Sequence, residues 1–357
     1  MPSFPVATAT ERYDAIVENG ALSRLAERIP ARVGKIFVVT TRDVWQLHCG
    51  AFATAMGKRA YQTLFFPGGE ENKRLSSVEV LAEEMLEKGG DRASLVIGFG
   101  GGIVTDLAGF LAAIFMRGVP FISVPTTLLA QVDAGVGGKT GANLKSGKNL
   151  IGAFHQPLAV LADTSLLSTL PERELRTGLF EVLKCGIIRS EPLFRTMVDD
   201  ARLVLQRDAP TIETLIAESV RIKCEVVSAD EKEQGVRRIL NFGHTVGHAI
   251  EAETHYARFL HGEAVGTGMK AAAWLSQSAG KIDESVAREI VAAVDLYGPV
   301  PTAADLDPER LLARLAKDKK TLRGSVHFVL ATGIGSTEVV SDLDNAMVLD
   351  AIRKAIA

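Results

Sequence analysis

Cysteine is scarce in this 357-residue chain: Cys49, Cys185 and Cys224 are all there is. Three thiols, odd in number and far apart, supply neither a disulfide framework nor a cysteine-based zinc site, and they suit a reducing compartment. Long apolar runs are missing too. No segment reaches the roughly 18 residues of a membrane span. Residues 1–10 have neither the basic start nor the apolar stretch of a secretory signal, so a cytoplasmic location is expected. Charge of one sign is also lacking: 40 Lys and Arg against 43 Asp and Glu leave a net charge of −3. That excludes the broad basic footprint of a nucleic-acid or membrane-surface binder, while leaving room for a local basic pocket. There is no internal repeat and no low-complexity tract. What is present is 47% hydrophobic residues, enough for a full globular core.

The length suggests two domains. Up to residue 170, short β-branched runs alternate with helical spacing. Strands are expected at 13–17, 35–40, 62–66, 94–99, 120–124 and 158–163, and helices at 21–28, 43–58, 75–88 (capped by Ser76 or Ser77) and 103–116. Alternation of this kind implies parallel pairing in an α/β sheet. Residues 128–156 are dense in glycine and read as a long functional loop. From 171 to 357 the periodicity is mainly helical, with 212–227, 265–279, 309–317 and 346–357 the clearest helices and 326–330 one strand. The expected organisation is an N-terminal α/β domain, 1–170, and a mainly α-helical C-terminal domain, 171–357.

Three features carry chemistry. In IGFGGGIVTD, glycines stand where a strand enters a helix, the arrangement in which backbone N–H groups and a helix N-terminus hold phosphate. The dinucleotide fingerprint is imperfect, because Ile103 replaces its third glycine and no acidic residue follows about 20 positions on. The loop VDAGVGGKTGANLKSGKN places Lys139, Lys148 and Asn149 where they can hold a phosphorylated or carboxylated ligand. It is not a P-loop, since position 133 is Asp. The third feature is 241–265, which holds four of the seven histidines. His244 and His248 at i, i+4 share a helical face and look like a metal pair, with His261 further on and His255 assigned to the surface. No His-Glu-x-x-His is present, so a metalloprotease is excluded. Glu181 and Lys184 share a face in the apolar segment GLFEVLKCGII. A carboxylate buried there needs a partner or a metal, which makes Glu181 the candidate third ligand. Glu251 and Glu253 read as a solvated face.

These residues fall in motifs that resemble the 3-dehydroquinate synthase family: PGGEENK at 67–73, GGGIVTDLAGF at 100–110, MRG at 116–118, VPTTLLAQVDAGVGGKTGAN at 124–143, GKNLIGAFHQP at 147–157, RRILNFGHTVGHAIE at 237–251, HGEAV at 261–265 and DKK at 318–320. The resemblance runs through essentially the whole chain in order. It implies an NAD-binding α/β domain with a parallel sheet and a helical metal-binding domain. The implied reaction converts 3-deoxy-D-arabino-heptulosonate 7-phosphate to 3-dehydroquinate and phosphate in the shikimate pathway of aromatic amino-acid biosynthesis. Transient oxidation by NAD, phosphate elimination, re-reduction, ring opening and aldol closure would follow in turn, assisted by zinc or cobalt.

Carried onto this sequence, the implied metal ligands are Glu181, His244 and His261, with His248 left to the substrate. NAD would contact Gly68, Gly69, Glu70, Glu71, Asn72 and Lys73. It would also meet Gly102, Ile103, Val104, Thr105 and Asp106, then Thr126, Thr127, Lys139 and Lys148, and the turn of Leu166, Leu167, Ser168 and Thr169. Asp133, Lys139, Asn149, Lys184, Lys223, Arg237, Asn241 and one of Lys319 or Lys320 would surround the phosphorylated sugar acid. Arg117 would reach a neighbouring subunit, implying a homodimer. Thr105 stands where the family usually has Gly, and Ala134-Gly135 where it usually has a Ser pair. The alternatives are a related sugar phosphate cyclase of valiolone or inosose type, a metal-dependent polyol dehydrogenase, and a catalytically silent binding protein.

Overall fold

The computed structural model describes residues 3–9, 11–317 and 326–357. The chain divides into two compact units. The first is Met1–Pro171 together with Ile216–Lys232, and the second is Glu172–Leu215 with Glu233–Ala357.

The first unit is built on a seven-stranded sheet. Its elements in chain order are β1 (Ser3–Ala7), β2 (Arg12–Glu18), α1 (Leu25–Arg28), β3 (Ile36–Thr40), α2 (Arg42–Met56), β4 (Gln62–Phe65), α3 (Leu75–Glu87), β5 (Leu95–Gly100), α4 (Gly102–Ile114), β6 (Phe121–Pro125), β7 (Lys139–Leu144), β8 (Gly147–Phe154) and β9 (Ala159–Asp163). The sheet order is β1-β2-β9-β6-β5-β3-β4. All pairs are parallel except β1 with β2. The strand residues alternate between two cores. Phe37, Val39 and Val96 pack with α3 and α4, whereas Ile36, Val38, Leu95 and Ile97 pack with α1 and α2. A sheet covered on both faces explains why these strands read as continuous apolar runs.

The glycine-dense stretch at 128–156 is not a loop. After a one-turn π-helix at Ala130–Ala134, β7 and β8 form an antiparallel hairpin. Gly141 faces Gly152 across it, and a Cβ on Gly152 would lie 2.0 Å from the Thr140 carbonyl oxygen. Glycine is thus required by close strand approach, and its usual turn signal hid two strands. The cap expected for α3 is also corrected. The helix starts at Leu75 with Arg74 before it and no side-chain cap, and Ser77 Oγ instead donates to the Asn72 carbonyl at 2.6 Å.

The second unit is mainly helical: α5 (Glu172–Arg189), α6 (Glu191–Asp199), α7 (Ala201–Leu205), α8 (Ala209–Ala229, whose later part belongs to the first unit), α9 (His244–Glu253), α10 (His261–Ser278), α11 (Glu284–Leu296), α12 (Pro308–Lys317), the hairpin β10 (His327–Gly333) and β11 (Ser336–Ser341), and α13 (Asn345–Ile356). Its apolar core joins α9, α10, α12, β10 and α13. Close seams set the helix positions. A Cβ on Gly268 would lie 1.9 Å from the Gly243 carbonyl oxygen, and one on Gly262 would lie 1.9 Å from that of Thr177. Among the described residues no helix is long and apolar enough to cross a membrane.

Candidate active site

Helix α5 is buried almost throughout from Leu175 to Ile188, and that burial is what makes its polar residues informative. Glu181 and Lys184 are each only 1% exposed. Lys184 Nζ donates to Glu181 Oε2, the i, i+3 pair having become a buried ion pair. The other carboxylate oxygen, Glu181 Oε1, is buried and accepts no hydrogen bond among the described residues. Leaving such an atom unmatched costs about 1–3 kcal/mol. It faces two imidazoles: His244 Nε2 and His261 Nε2 each lie 3.6 Å away.

Those distances are too long for hydrogen bonds, yet they are close to the roughly 3.4 Å edge of a tetrahedron with ~2.1 Å metal–ligand bonds. His244 opens α9, following Gly243 in a left-handed conformation (φ 79°), and His261 opens α10. On each ring the second nitrogen also meets an oxygen. His244 Nδ1 is 3.2 Å from the Phe242 carbonyl, and His261 Nδ1 is 3.3 Å from Glu251 Oε2. Glu181, His244 and His261 therefore present one orphaned carboxylate oxygen and two imidazole nitrogens to one point, a set that fits a divalent cation.

His248 lies on the same side of α9, its ring centroid 5.4 Å from that of His244 and 5.9 Å from that of His261. It also groups with Glu251 and His261. Glu251 and Glu253 do not form a solvated face. Glu251 is 1% exposed, and Glu253 is engaged by Arg314 and, at 2.6 Å, by Arg310. Helices α10 and α12 pack on α9 and cover the face that the sequence pattern left open. His255 is exposed, as expected. Arg237 is 1% exposed, and Asn241 Nδ2 donates to Glu233 Oε1 at 2.5 Å. Glu233 had no signal in the sequence beyond its place in a charged run.

In the first unit, β5 ends at Gly100 and α4 begins at Gly102 without a side-chain cap on its N-terminus. Its first N–H groups and the helix dipole suit a phosphate. Ile103 packs against the core, and Val104 belongs to it, so only their backbone can serve a ligand. Thr105 is 2% exposed and donates its hydroxyl to the Gly102 carbonyl at 3.0 Å. That bond ties back the first turn of the helix. The 68–73 turn is shaped by Gly68 (φ 83°) and Gly69 (φ 80°). It leads through Glu70, Glu71 and Asn72 to Lys73, which is 3% exposed.

Lys73 Nζ bridges Asp106 Oδ2 and Asn149 Oδ1, both at 2.6 Å. Burial pushes the Asp106 carboxyl above the usual range, with Lys73 pulling it back down. Lys148 lies 3.9 Å from Glu70. Thr126 N donates to the Gly100 carbonyl at 2.9 Å, and Thr127 Oγ1 accepts from Ala130 N at 3.2 Å. Leu166 and Leu167 are buried, Ser168 Oγ donates to the Ser165 carbonyl at 2.8 Å, and Thr169 Oγ1 is 3.0 Å from His48 Nε2.

Lys223 comes from the helical half of the sequence but lies in the first unit. Its Nζ engages the Asp133 carboxylate, and the Asp133 carbonyl at 2.5 Å. Lys139 is exposed at the start of β7. Met116 and Arg117 hold positive φ, 50° and 72°, in a turn that leaves Arg117 exposed. That strain sits on the residue expected to reach a neighbour. Lys319 and Lys320 lie outside the described residues.

Residues 63–177 match the model of the 3-dehydroquinate synthase N-terminal domain, and 178–321 match that of the C-terminal domain. The 3-dehydroquinate synthase of Solibacter usitatus is 54% identical over the full length of both chains. Two solved structures share the architecture. One is a 2-epi-5-epi-valiolone synthase from Streptomyces hygroscopicus with NAD+ and Zn2+ bound, with TM-score 0.89, 28% identity and 98% of each chain covered. The other is a 2-deoxy-scyllo-inosose synthase complexed with carbaglucose-6-phosphate, NAD+ and Co2+, with TM-score 0.88, 27% identity, and 98% of this chain and 99% of that one covered. The two domain models adjoin in order and together cover residues 63–321, and a relative matches the chain end to end at more than half of its positions: the chain belongs to the 3-dehydroquinate synthase family.

Proposed function

We propose that this chain converts 3-deoxy-D-arabino-heptulosonate 7-phosphate to 3-dehydroquinate and phosphate, using NAD and one divalent cation, zinc or cobalt, and that it works as a homodimer. The observation that carries the reading is the orphaned Glu181 Oε1 facing the Nε2 atoms of His244 and His261, in a chain of this family. When bound, the cation supplies Lewis acidity toward substrate hydroxyls, and NAD supplies a reversible oxidation.

The chain's own groups bind, orient and move protons. Lys184 fixes the Glu181 carboxylate through Oε2, which leaves Oε1 for the cation. Lys73 ties Asp106 and Asn149 into one fixed cluster beside the start of α4. That turn, with the 68–73 segment, holds the nucleotide. Lys139, Lys148 and Arg117 are the phosphate-seeking cations, Arg117 serving the neighbouring subunit. Arg237 and Asn241 meet the substrate carboxylate and hydroxyls, and the Asp133–Lys223 pair orients the sugar. His248, outside the triad, moves a proton at its ring nitrogen.

The test is phosphate release from the heptulosonate phosphate with NAD, before and after chelation. Release that needs the metal, without accumulation of NADH, is expected. Net NADH would mark a polyol dehydrogenase, and preference for sedoheptulose 7-phosphate would mark a valiolone-type cyclase. Failure to release phosphate in the loaded enzyme overturns the proposal.

A further inference from the structure

We propose that Glu251 is a positioning residue of the metal centre: its buried carboxylate holds the His261 ring at Nδ1 and thereby aims Nε2 at the cation. The inference rests on the reading of Glu181, His244 and His261 as ligands.

It starts from the two nitrogens of one imidazole. His261 Nε2 points to Glu181 Oε1 at 3.6 Å, and Nδ1 to Glu251 Oε2 at 3.3 Å. A nitrogen that ligates a metal carries no proton. The ring's proton then belongs on Nδ1, and an acceptor at that atom selects the tautomer and fixes the ring plane. Glu251 is 1% exposed. A carboxylate is kept at such depth only by hydrogen-bonding partners, so the position is not a surface accident.

The placement has a logic along the chain. Helix α9 carries His244 at its first residue and Glu251 two turns later. One helix thus contributes a ligand of its own and the support for the ligand that α10 brings. The two imidazoles are supported unequally. His244 Nδ1 faces a neutral backbone carbonyl, whereas His261 Nδ1 faces a carboxylate, which raises the ring's basicity more. His261 is also the more exposed, its side chain 28% accessible against 10% for His244, and so has more to gain from being held.

The same atoms permit a competing arrangement, in which His248, Glu251 and His261 take a cation themselves. His261 Nδ1 cannot donate to Glu251 and ligate a second ion at once, so the two arrangements exclude each other and differ in stoichiometry.

The experiment uses the full chain, stripped with a chelator and titrated with Co(II), read by visible absorption, with circular dichroism as the check on folding. The wild type is expected to bind one equivalent. Glu251→Ala is expected to bind about 10–100-fold more weakly. Glu251→Gln should fall between the two, because its amide oxygen still accepts from Nδ1–H while the charge is gone. Proton NMR of the Co(II) form adds a readout that a general packing role would not move. The exchangeable Nδ1–H of His261 should be lost to solvent exchange in Glu251→Ala, while that of His244 persists. Unchanged affinity and spectra in Glu251→Ala overturn the role of Glu251, with wild-type binding of one ion still upholding the centre. Absence of Co(II) binding by the wild type, or binding indifferent to Glu181→Ala, overturns the centre itself. Two equivalents in the wild type, one of them lost in His248→Ala, overturn the positioning role in favour of a second cation.

Discussion

Replacing Gly262 by alanine tests whether helix packing sets the metal geometry. The added Cβ would lie 1.9 Å from the Thr177 carbonyl oxygen and 2.7 Å from its carbon. Both are backbone atoms, which no rotamer change can move aside. An ordinary carbon–oxygen contact is about 3.3 Å, so α5 and α10 must part by roughly 1.4 Å. Gly262 follows His261 directly, and Thr177 stands one helical turn before Glu181, so the displacement falls on the distance between two proposed ligands. Overpacking of this kind costs about 1–3 kcal/mol of stability. A misplacement of about 1 Å at a reacting centre costs on the order of 100-fold in rate. Phosphate release under saturating metal and NAD, with a Co(II) titration, reads both effects. Gly50, in α2 with nothing within 4 Å of its would-be Cβ, is the control. Gly50→Ala should keep the wild-type rate and gain about 0.5–1 kcal/mol. Wild-type rate and metal affinity in Gly262→Ala would refute the reasoning.

Three further outcomes are expected. Glu181→Ala should abolish metal binding and also remove the carboxylate that the buried Lys184 ammonium pairs with, costing roughly 3–5 kcal/mol in urea unfolding; Glu181→Ala with Lys184→Met should recover stability but not the metal. Burial lowers the His48 pKa, with Asp163 opposing. The unfolded chain therefore takes up that proton first, and stability is lost as pH falls below about 6.5; His48→Gln should flatten the thermal midpoint over that window, and a slope identical to wild type would count against the assignment. Burial pushes the Cys224 thiol up to about 12, and Cys185 is 3% exposed. A thiol reagent at neutral pH should therefore modify Cys49 alone in the native protein, as peptide mapping would show.

The alternation of strands and helices was legible in the first unit because a sheet buried on both faces writes continuous apolar runs. The hairpin at Lys139–Leu144 and Gly147–Phe154 was not, because close strand approach demanded the same glycines that turns use. Strands β1 and β11 passed unread, because only one residue of β1 and none of β11 is buried, so neither writes an apolar run. At the centre, Glu181 was legible as a carboxylate in an apolar helix. The regular spacing of His244 and His248 drew attention to that pair, whereas the second nitrogen 3.6 Å from Glu181 Oε1 comes from His261 on α10 across a turn. Spacing within one helix cannot report what a neighbouring helix delivers. Glu251 was misread for the same reason: its face is polar in sequence and enclosed in the fold.

The order in which the first unit can be completed follows from its sheet. Strand β2 pairs Asp14 with Ala159, so its inner edge waits through most of the unit's synthesis. Even then Ala7 N donates to Ser228 Oγ, Gln156 to Glu231 and Lys223 to Asp133, contacts supplied by Ile216–Lys232. Pairings this distant in sequence form late and slowly. On the ribosome the inner edge of the N-terminal hairpin is therefore unpaired until β9 has emerged. In that interval a nascent chain of this kind is most exposed to edge-to-edge association with another.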